Sequence, residues 1–141
     1  MPVEISWLVT GRISYFRYSG VVTLDEIEQA SQRGIEMLGE SDAVLVHSIQ
    51  DGRKVTEFPK NLKAMLDVSG KAMQHAKMGW MVNLTDQNPF LVYIASMIGK
   101  LTQTRQRFLP DVKAALTFLA DVDTTLPDLT DRHVPYDKIS E

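Results

Sequence analysis

The chain has 141 residues, with 15 Lys plus Arg against 18 Asp plus Glu for a net charge of −3, and no cysteine. A chain of that length makes one domain that buries roughly two thirds of the surface its unfolded form exposes. The absence of cysteine excludes a disulfide framework, a thiolate nucleophile and a cysteine-based zinc or iron–sulfur centre.

Neither charge sign gathers into a block that could follow a phosphate backbone, so nucleic acid is not expected as a partner. The opening MPVEISWLVTGR lacks a basic region followed by a long apolar core, and no apolar run approaches the roughly 20 residues of a membrane helix. The expectation is a soluble, cytoplasmic protein.

Residues 3 to 9 alternate, placing Val3, Ile5, Trp7 and Val9 on one side and Glu4 and Ser6 on the other, the period of a half-buried strand. Gly11 and Arg12 mark a tight turn, and ISYFRYS then pairs back as the second strand of a hairpin. Thr23-x-x-Glu26 is a capping box that starts a helix at Leu24. Its inward stripe runs through Ile27, Ala30, Ile35 and Leu38, and Gly39 ends it.

AVLVHSI at 43–49 is a near-continuous apolar run, as expected of a central parallel strand, and HSIQDGRKVTEFPKNL then reads as the connection leaving its carboxyl end. In that connection Asp51-Gly52 makes a turn and Pro59 fits a first helical turn. Leu62, Met65, Leu66, Met73 and Ala76 continue a helical stripe, either unbroken or divided at Ser69 and Gly70.

MGWMVNL at 78–84 is a fourth strand. Asn88 caps a third helix with Pro89 at its first position and an apolar stripe of Phe90, Ile94, Met97, Ile98 and Leu101. RQRFL is a short fifth strand, and a last helix follows Pro110 with Val112, Ala115, Leu116 and Leu119 inward. The periodicity stops at Val122. Residues 1–122 are therefore one α/β domain of order β-β-α-β-α-β-α-β-α, with a mostly parallel five-stranded sheet and a hairpin edge strand, and residues 123–141 a tail, extended or partly disordered.

This order, with GVVTLDEIEQ opening the first helix and RQRFLPDVKAALTFLADV closing the domain, resembles the SpoIIAA-like branch of the STAS and CRAL-TRIO-like proteins. The residues that carry the likeness are Gly20, Val22, Thr23, Asp25 and Glu26 at one end, and Arg105 or Arg107, Phe108, Ala115, Phe118 and Leu119 at the other. The resemblance implies a βα superhelix with strands laid down in sequence order, and a regulatory role more often than an enzymatic one. STAS anti-sigma-factor antagonists carry a phosphorylated serine in an Asp-Ser-(Ser/Ala)-Gly turn after the third strand. Here that stretch reads Gln50-Asp51-Gly52-Arg53-Lys54-Val55-Thr56, without the motif.

Thr56 is the hydroxyl nearest the predicted helix start, and its plain reading is a helix cap rather than a phosphorylation site. His47, at the predicted strand end, and Ser48, Asn83, Thr85 and Asp86 nearby could form a polar patch in the crevice beyond the sheet. The plain reading of His47 is a hydrogen-bonded structural histidine. Trp80 and Met81, with Met65, Met73, Met78 and Met97, could line an adaptable apolar pocket such as the lipid-holding CRAL-TRIO relatives possess.

There is no nucleophile elbow, glycine-rich phosphate loop or metal-spaced histidine pair, so the preferred reading is a non-enzymatic STAS-like module without cofactor or metal, binding another regulatory protein or itself. An apolar-ligand or lipid binder of CRAL-TRIO type is the alternative, and a small hydrolase the third. Right-handed crossovers should put successive helices on one side of the sheet, with the first helix or tail residues Leu126, Leu129, Val134 and Tyr136 covering the other. A homodimer is expected, using the tail or the hairpin edge.

Overall fold

The computed structural model describes residues 3–85 and 88–129. Strands β1 (Val3–Val9) and β2 (Ile13–Val21) precede helix α1 (Leu24–Glu40). Strand β3 (Val46–Glu57), helix α2 (Leu62–Met73), strand β4 (Met78–Leu84), helix α3 (Pro89–Thr102), strand β5 (Gln106–Leu109) and helix α4 (Val112–Val122) follow. The sheet order is β1-β2-β3-β4-β5; β1 runs antiparallel to β2, and every other pair is parallel.

In the hairpin, Gly11 takes a left-handed φ of 74° that a side chain would disfavour, and the Arg12 amide closes the turn on the Val9 carbonyl at 2.9 Å. The pairing shifts between Trp7 and Val9. Val3, Ile5 and Trp7 therefore pack with Phe16 and Met37, while Val9 joins the core on the opposite face, so the predicted single row of four breaks at its end.

The capping box forms as predicted: the Glu26 amide donates to Thr23 Oγ1 at 3.2 Å, and the Thr23 amide donates back to Glu26 Oε1 at 2.9 Å. The helix runs one residue past Gly39, to Glu40. The third strand differs more. It starts at Val46, not at residue 43, leaving Val44 exposed before it, and it continues to Glu57 through the stretch predicted as a connection.

Asp51-Gly52 is thus strand rather than turn. The cause is one-sided pairing: β3 pairs with β4 only as far as Asp51 opposite Leu84, while on the β2 side it goes on through Lys54, Val55 and Glu57, with register shifts that accommodate the charged and small residues. A half-edge strand tolerates polar residues that a central one would not.

Thr56 consequently lies exposed in β3, and Asn61 caps α2, its Oδ1 accepting from the Ala64 amide at 3.0 Å. Pro59 precedes the helix. α2 runs unbroken through Ser69, whose hydroxyl donates to the Met65 carbonyl at 2.6 Å, and through Gly70, and it ends before Ala76. In α3 the buried side is Leu91, Ile94 and Ile98, whereas Phe90 and Leu101 of the predicted stripe face out at 37% and 52% exposure.

Alternation along the strands separates two cores. Tyr15, Ile49 and Val82 face Val112, Ala115, Leu116 and Leu119 of α4, whereas Phe16 and Met81 face the other way, toward Ala30 of α1, Met65 of α2 and Ile94 of α3. The three crossover helices share one face because right-handed parallel connections in sequential order leave no other choice. α4 follows the last strand, is not a crossover, and packs on the second face, with Phe118 edge-on to Trp80 at 4.9 Å.

The expectation that α1 would reach this second face is therefore incorrect. Leu126 and the buried Leu129 extend the cover on their own chain; Val134 and Tyr136 lie outside the described residues.

A close approach joins β3 to β4. The His47 ring lies over Gly79, where a Cβ would stand 2.5 Å from Nδ1. Gly79→Ala is expected to push the ring away and lower unfolding free energy by about 2–3 kcal/mol. Gly39 has open space around the corresponding position, so Gly39→Ala should raise stability by about 0.5 kcal/mol. Urea unfolding of the two variants checks both signs.

Candidate functional site

Between the sheet and helices α1, α2 and α3 lies a partly open cavity of about 140 Å³, walled mainly by apolar side chains. Its flexible part is a group of methionines, Met37, Met65, Met73, Met78 and Met81. Three of them lie on α1 and α2, where helical spacing brings them inward, and Met81 comes from the inner face of β4. Gly34 belongs to the same wall: the Phe16 ring sits 3.3 Å from where its Cβ would be, so α1 approaches β2 closely there.

The sheet side of the cavity is polar along one line. Tyr18 on β2 donates its hydroxyl to Gln50 Oε1 at 2.7 Å, and Gln50 Nε2 donates to Ser48 Oγ at 2.6 Å. Asn83 on β4 is the register partner of Gln50 on β3, on the same face. It is 94% buried, and its Nδ2 has no hydrogen-bond partner. Gln50 turns its amide toward Ser48 and Tyr18 and so does not partner the Asn83 donor, on a residue that lines the cavity. Burial pushes the Tyr18 hydroxyl well above its ordinary pKa, so it remains a protonated donor.

Ser48, Asn83 and Thr85 of the expected polar patch and Met81 of the expected apolar pocket lie on one wall. His47 and Trp80 do not join them: each points to the α4 face, because residues one apart on a strand alternate sides. His47 also sits near the amino end of β3 rather than its carboxyl end, since the strand runs on to Glu57. Met97 is not part of the wall. Asp86 lies outside the described residues. Neither Met37 nor Gln50 stands out in the sequence: Met37 lies off the main stripe of α1, and Gln50 falls in a stretch whose sequence reads as a loop.

His47 is a fully partnered structural residue. Its Nδ1 accepts from the Trp80 amide at 2.9 Å, so the ring proton sits on Nε2, which donates to Asp123 Oδ2 at 2.8 Å. Arg12 reaches the same segment, donating to Thr125 Oγ1 at 2.6 Å and to the Thr125 carbonyl at 3.1 Å. Burial by itself would raise the Asp123 pKa, but hydrogen bonds from Thr125 and His47 outweigh it and hold the carboxyl at about 2.

A second buried group occupies this face. Arg53 grips Asp51 through Nε and a terminal nitrogen at 2.9 and 2.8 Å, and Tyr15 donates to the same carboxylate at 2.5 Å. Burial opposes ionisation of Asp51, yet the Arg53 fork and the Tyr15 hydroxyl keep its pKa below the usual value. Both side chains of the ion pair are about 3% exposed, so the group locks β2 to β3 rather than presenting a reactive atom. Among the described residues no cluster of three His, Asp or Glu could hold a metal ion.

No family model matches the chain, and no curated protein matches it. A solved structure does: an uncharacterized protein from the DUF3478 family with a SpoIIAA-like fold, from Shewanella loihica. It is 14% identical, with a TM-score of 0.59 over 83% of this chain and 91% of that one. The fold is therefore SpoIIAA-like, an α/β architecture with a mostly parallel five-stranded sheet. No helix among the described residues is long and apolar enough to cross a membrane.

The carboxylates on the α4 face give a pH dependence. A carboxyl whose pKa falls on folding contributes stability above its unfolded value and loses it as pH drops through the folded one. For Asp123 that window runs from about 3.8 down to about 2. Acid unfolding of Asp123→Asn should therefore be shallower than that of the natural chain over this range, with the remaining slope carried in part by Asp51. Circular dichroism between pH 5 and pH 2 is the measurement.

Proposed function

We propose that this chain is a non-enzymatic binding module whose α1–α2–α3 face takes up a small, mainly apolar ligand. The observation that supports the reading most is the unpartnered amide of Asn83 inside a methionine-rich cavity, since a buried donor without an acceptor costs about 1–3 kcal/mol unless something supplies one. Ligand pockets share this build: apolar walls, adaptable side chains and few oriented polar groups. None of the described residues lining the cavity is Asp, Glu, Lys, Arg or His, which supports binding over general acid–base chemistry.

An NMR titration with ethylbenzene tests the uptake. Saturable shifts are expected at amides of β3, β4, α2 and α3, with α4 little affected; no saturable shift would count against the reading.

A second reading, contact with another protein or with a second copy of the chain, is favoured by a different observation. Phe90, Tyr93 and Leu101 on α3 leave 37%, 56% and 52% of their surfaces exposed along one helix, and grouped exposed apolar side chains mark interaction sites. We expect a homodimer at micromolar concentration, and Tyr93→Glu with Leu101→Glu should shift it toward monomer. Sedimentation velocity of both forms decides this, and a monomeric natural chain would remove the dimer.

A further inference from the structure

We propose that the cavity selects an uncharged ligand bearing a hydrogen-bond acceptor, such as a ketone, ester, lactone or amide carbonyl, and that Asn83 is the residue that reads it; this rests on the cavity being a ligand site. Three features of the cavity point this way together.

The first is the inventory of donors. The other amides and three of the hydroxyls of the wall already donate elsewhere: Gln50 to Ser48, Gln106 to the Ala95 carbonyl at 3.0 Å, Tyr18 to Gln50, Ser14 to the His47 carbonyl at 3.4 Å and Ser69 to the Met65 carbonyl. Asn83 Nδ2 alone among these amides has none. Ser48 accepts from Gln50 and lies diagonally from Asn83 on the same sheet face, so its own hydroxyl hydrogen is a second donor on that side. The wall thus offers donors, and the matching ligand group is an acceptor.

The second is charge. With no cationic side chain among the described residues of the wall, a carboxylate or phosphate entering the cavity would be desolvated without a counter-charge there, which disfavours it far more than a neutral carbonyl. Arg53, the nearest buried cation on β3, belongs to the opposite face and holds Asp51. A free fatty acid in its ionised form is therefore the wrong ligand, and a neutral derivative of the same carbon skeleton the right one.

The third is size. A cavity of about 150 Å³ lined by apolar groups holds benzene. The 140 Å³ here accordingly suits a ligand or head portion of roughly six to ten non-hydrogen atoms, with the methionines yielding to differences in shape.

Acetophenone, ethylbenzene and benzoate share one ring and nearly one size, but carry a neutral acceptor, no acceptor and a charge. NMR titration of the natural chain and of Asn83→Leu compares them. In the natural chain acetophenone should bind about fivefold to tenfold more tightly than ethylbenzene, the worth of one neutral hydrogen bond, with benzoate weakest. In Asn83→Leu acetophenone should fall to the level of ethylbenzene while ethylbenzene is unchanged, and the unliganded variant should melt no lower than the natural chain, because an orphan donor has gone. Equal binding of acetophenone and ethylbenzene by the natural chain would overturn selection by Asn83 and leave the cavity reading standing. Benzoate matching acetophenone would overturn selection for a neutral ligand, and no binding of any of the three would overturn both the selection and the cavity reading. The comparison on the natural chain holds even if the variant does not fold.

Discussion

Handedness governs this molecule. Four strands run parallel in sequence order, so each crossover must turn the same way, and α1, α2 and α3 are delivered to one face of the sheet whether or not they pack perfectly there. Three helices on one side of a twisted sheet leave space beneath them that side chains must fill. Here five methionines are part of the filling, and it is incomplete. The opposite face receives no crossover and is covered by α4 and the seven residues after it, fastened through Arg12, His47 and Asp123.

The two faces handle buried polarity in contrasting ways. On the α4 side, Asp51, Arg53 and Tyr15 form a group in which charge and hydrogen bonds compensate one another, and His47 has a partner at both nitrogens. Such groups tie strands together and leave no valence for an outside molecule. On the cavity side the Tyr18–Gln50–Ser48 chain stops one strand short, at Asn83. Both faces of β3 thus carry polar residues at adjacent positions, and only one of them is closed.

Element order, the capping box of α1 and the Asn88-Pro89 start of α3 were legible because each is a local signal with a local cause. The second half of β3 was not, since QDGRKVTE has no strand periodicity of its own and becomes strand only because β2 is long enough to pair with it. Read as a loop, that half places His47 at the carboxyl end of its strand and Gln50 outside it, whereas β3 runs from Val46 to Glu57. The wall formed by Ser48, Asn83 and Met81 was partly legible, because neighbouring parallel strands were expected from the element order. Which side Trp80 and His47 take followed from strand parity, available in principle from MGWMVNL once Met81 and Asn83 are assigned inward. The missing partner of Asn83 depends on the rotamer of Gln50, and no sequence pattern encodes that.

The sulfur content of the cavity has a chemical consequence. With no cysteine in the chain, its oxidisable sulfur is carried by seven methionines, and five of them line this one space. Conversion of a thioether to its sulfoxide replaces a soft apolar group with a polar, chiral one that demands hydrogen-bond donors. Formed here, it would stand among mainly apolar walls that offer few donors, the unpartnered Asn83 amide among them. Peroxide exposure would thereby change the polarity of the cavity through atoms that serve in the reduced chain as packing.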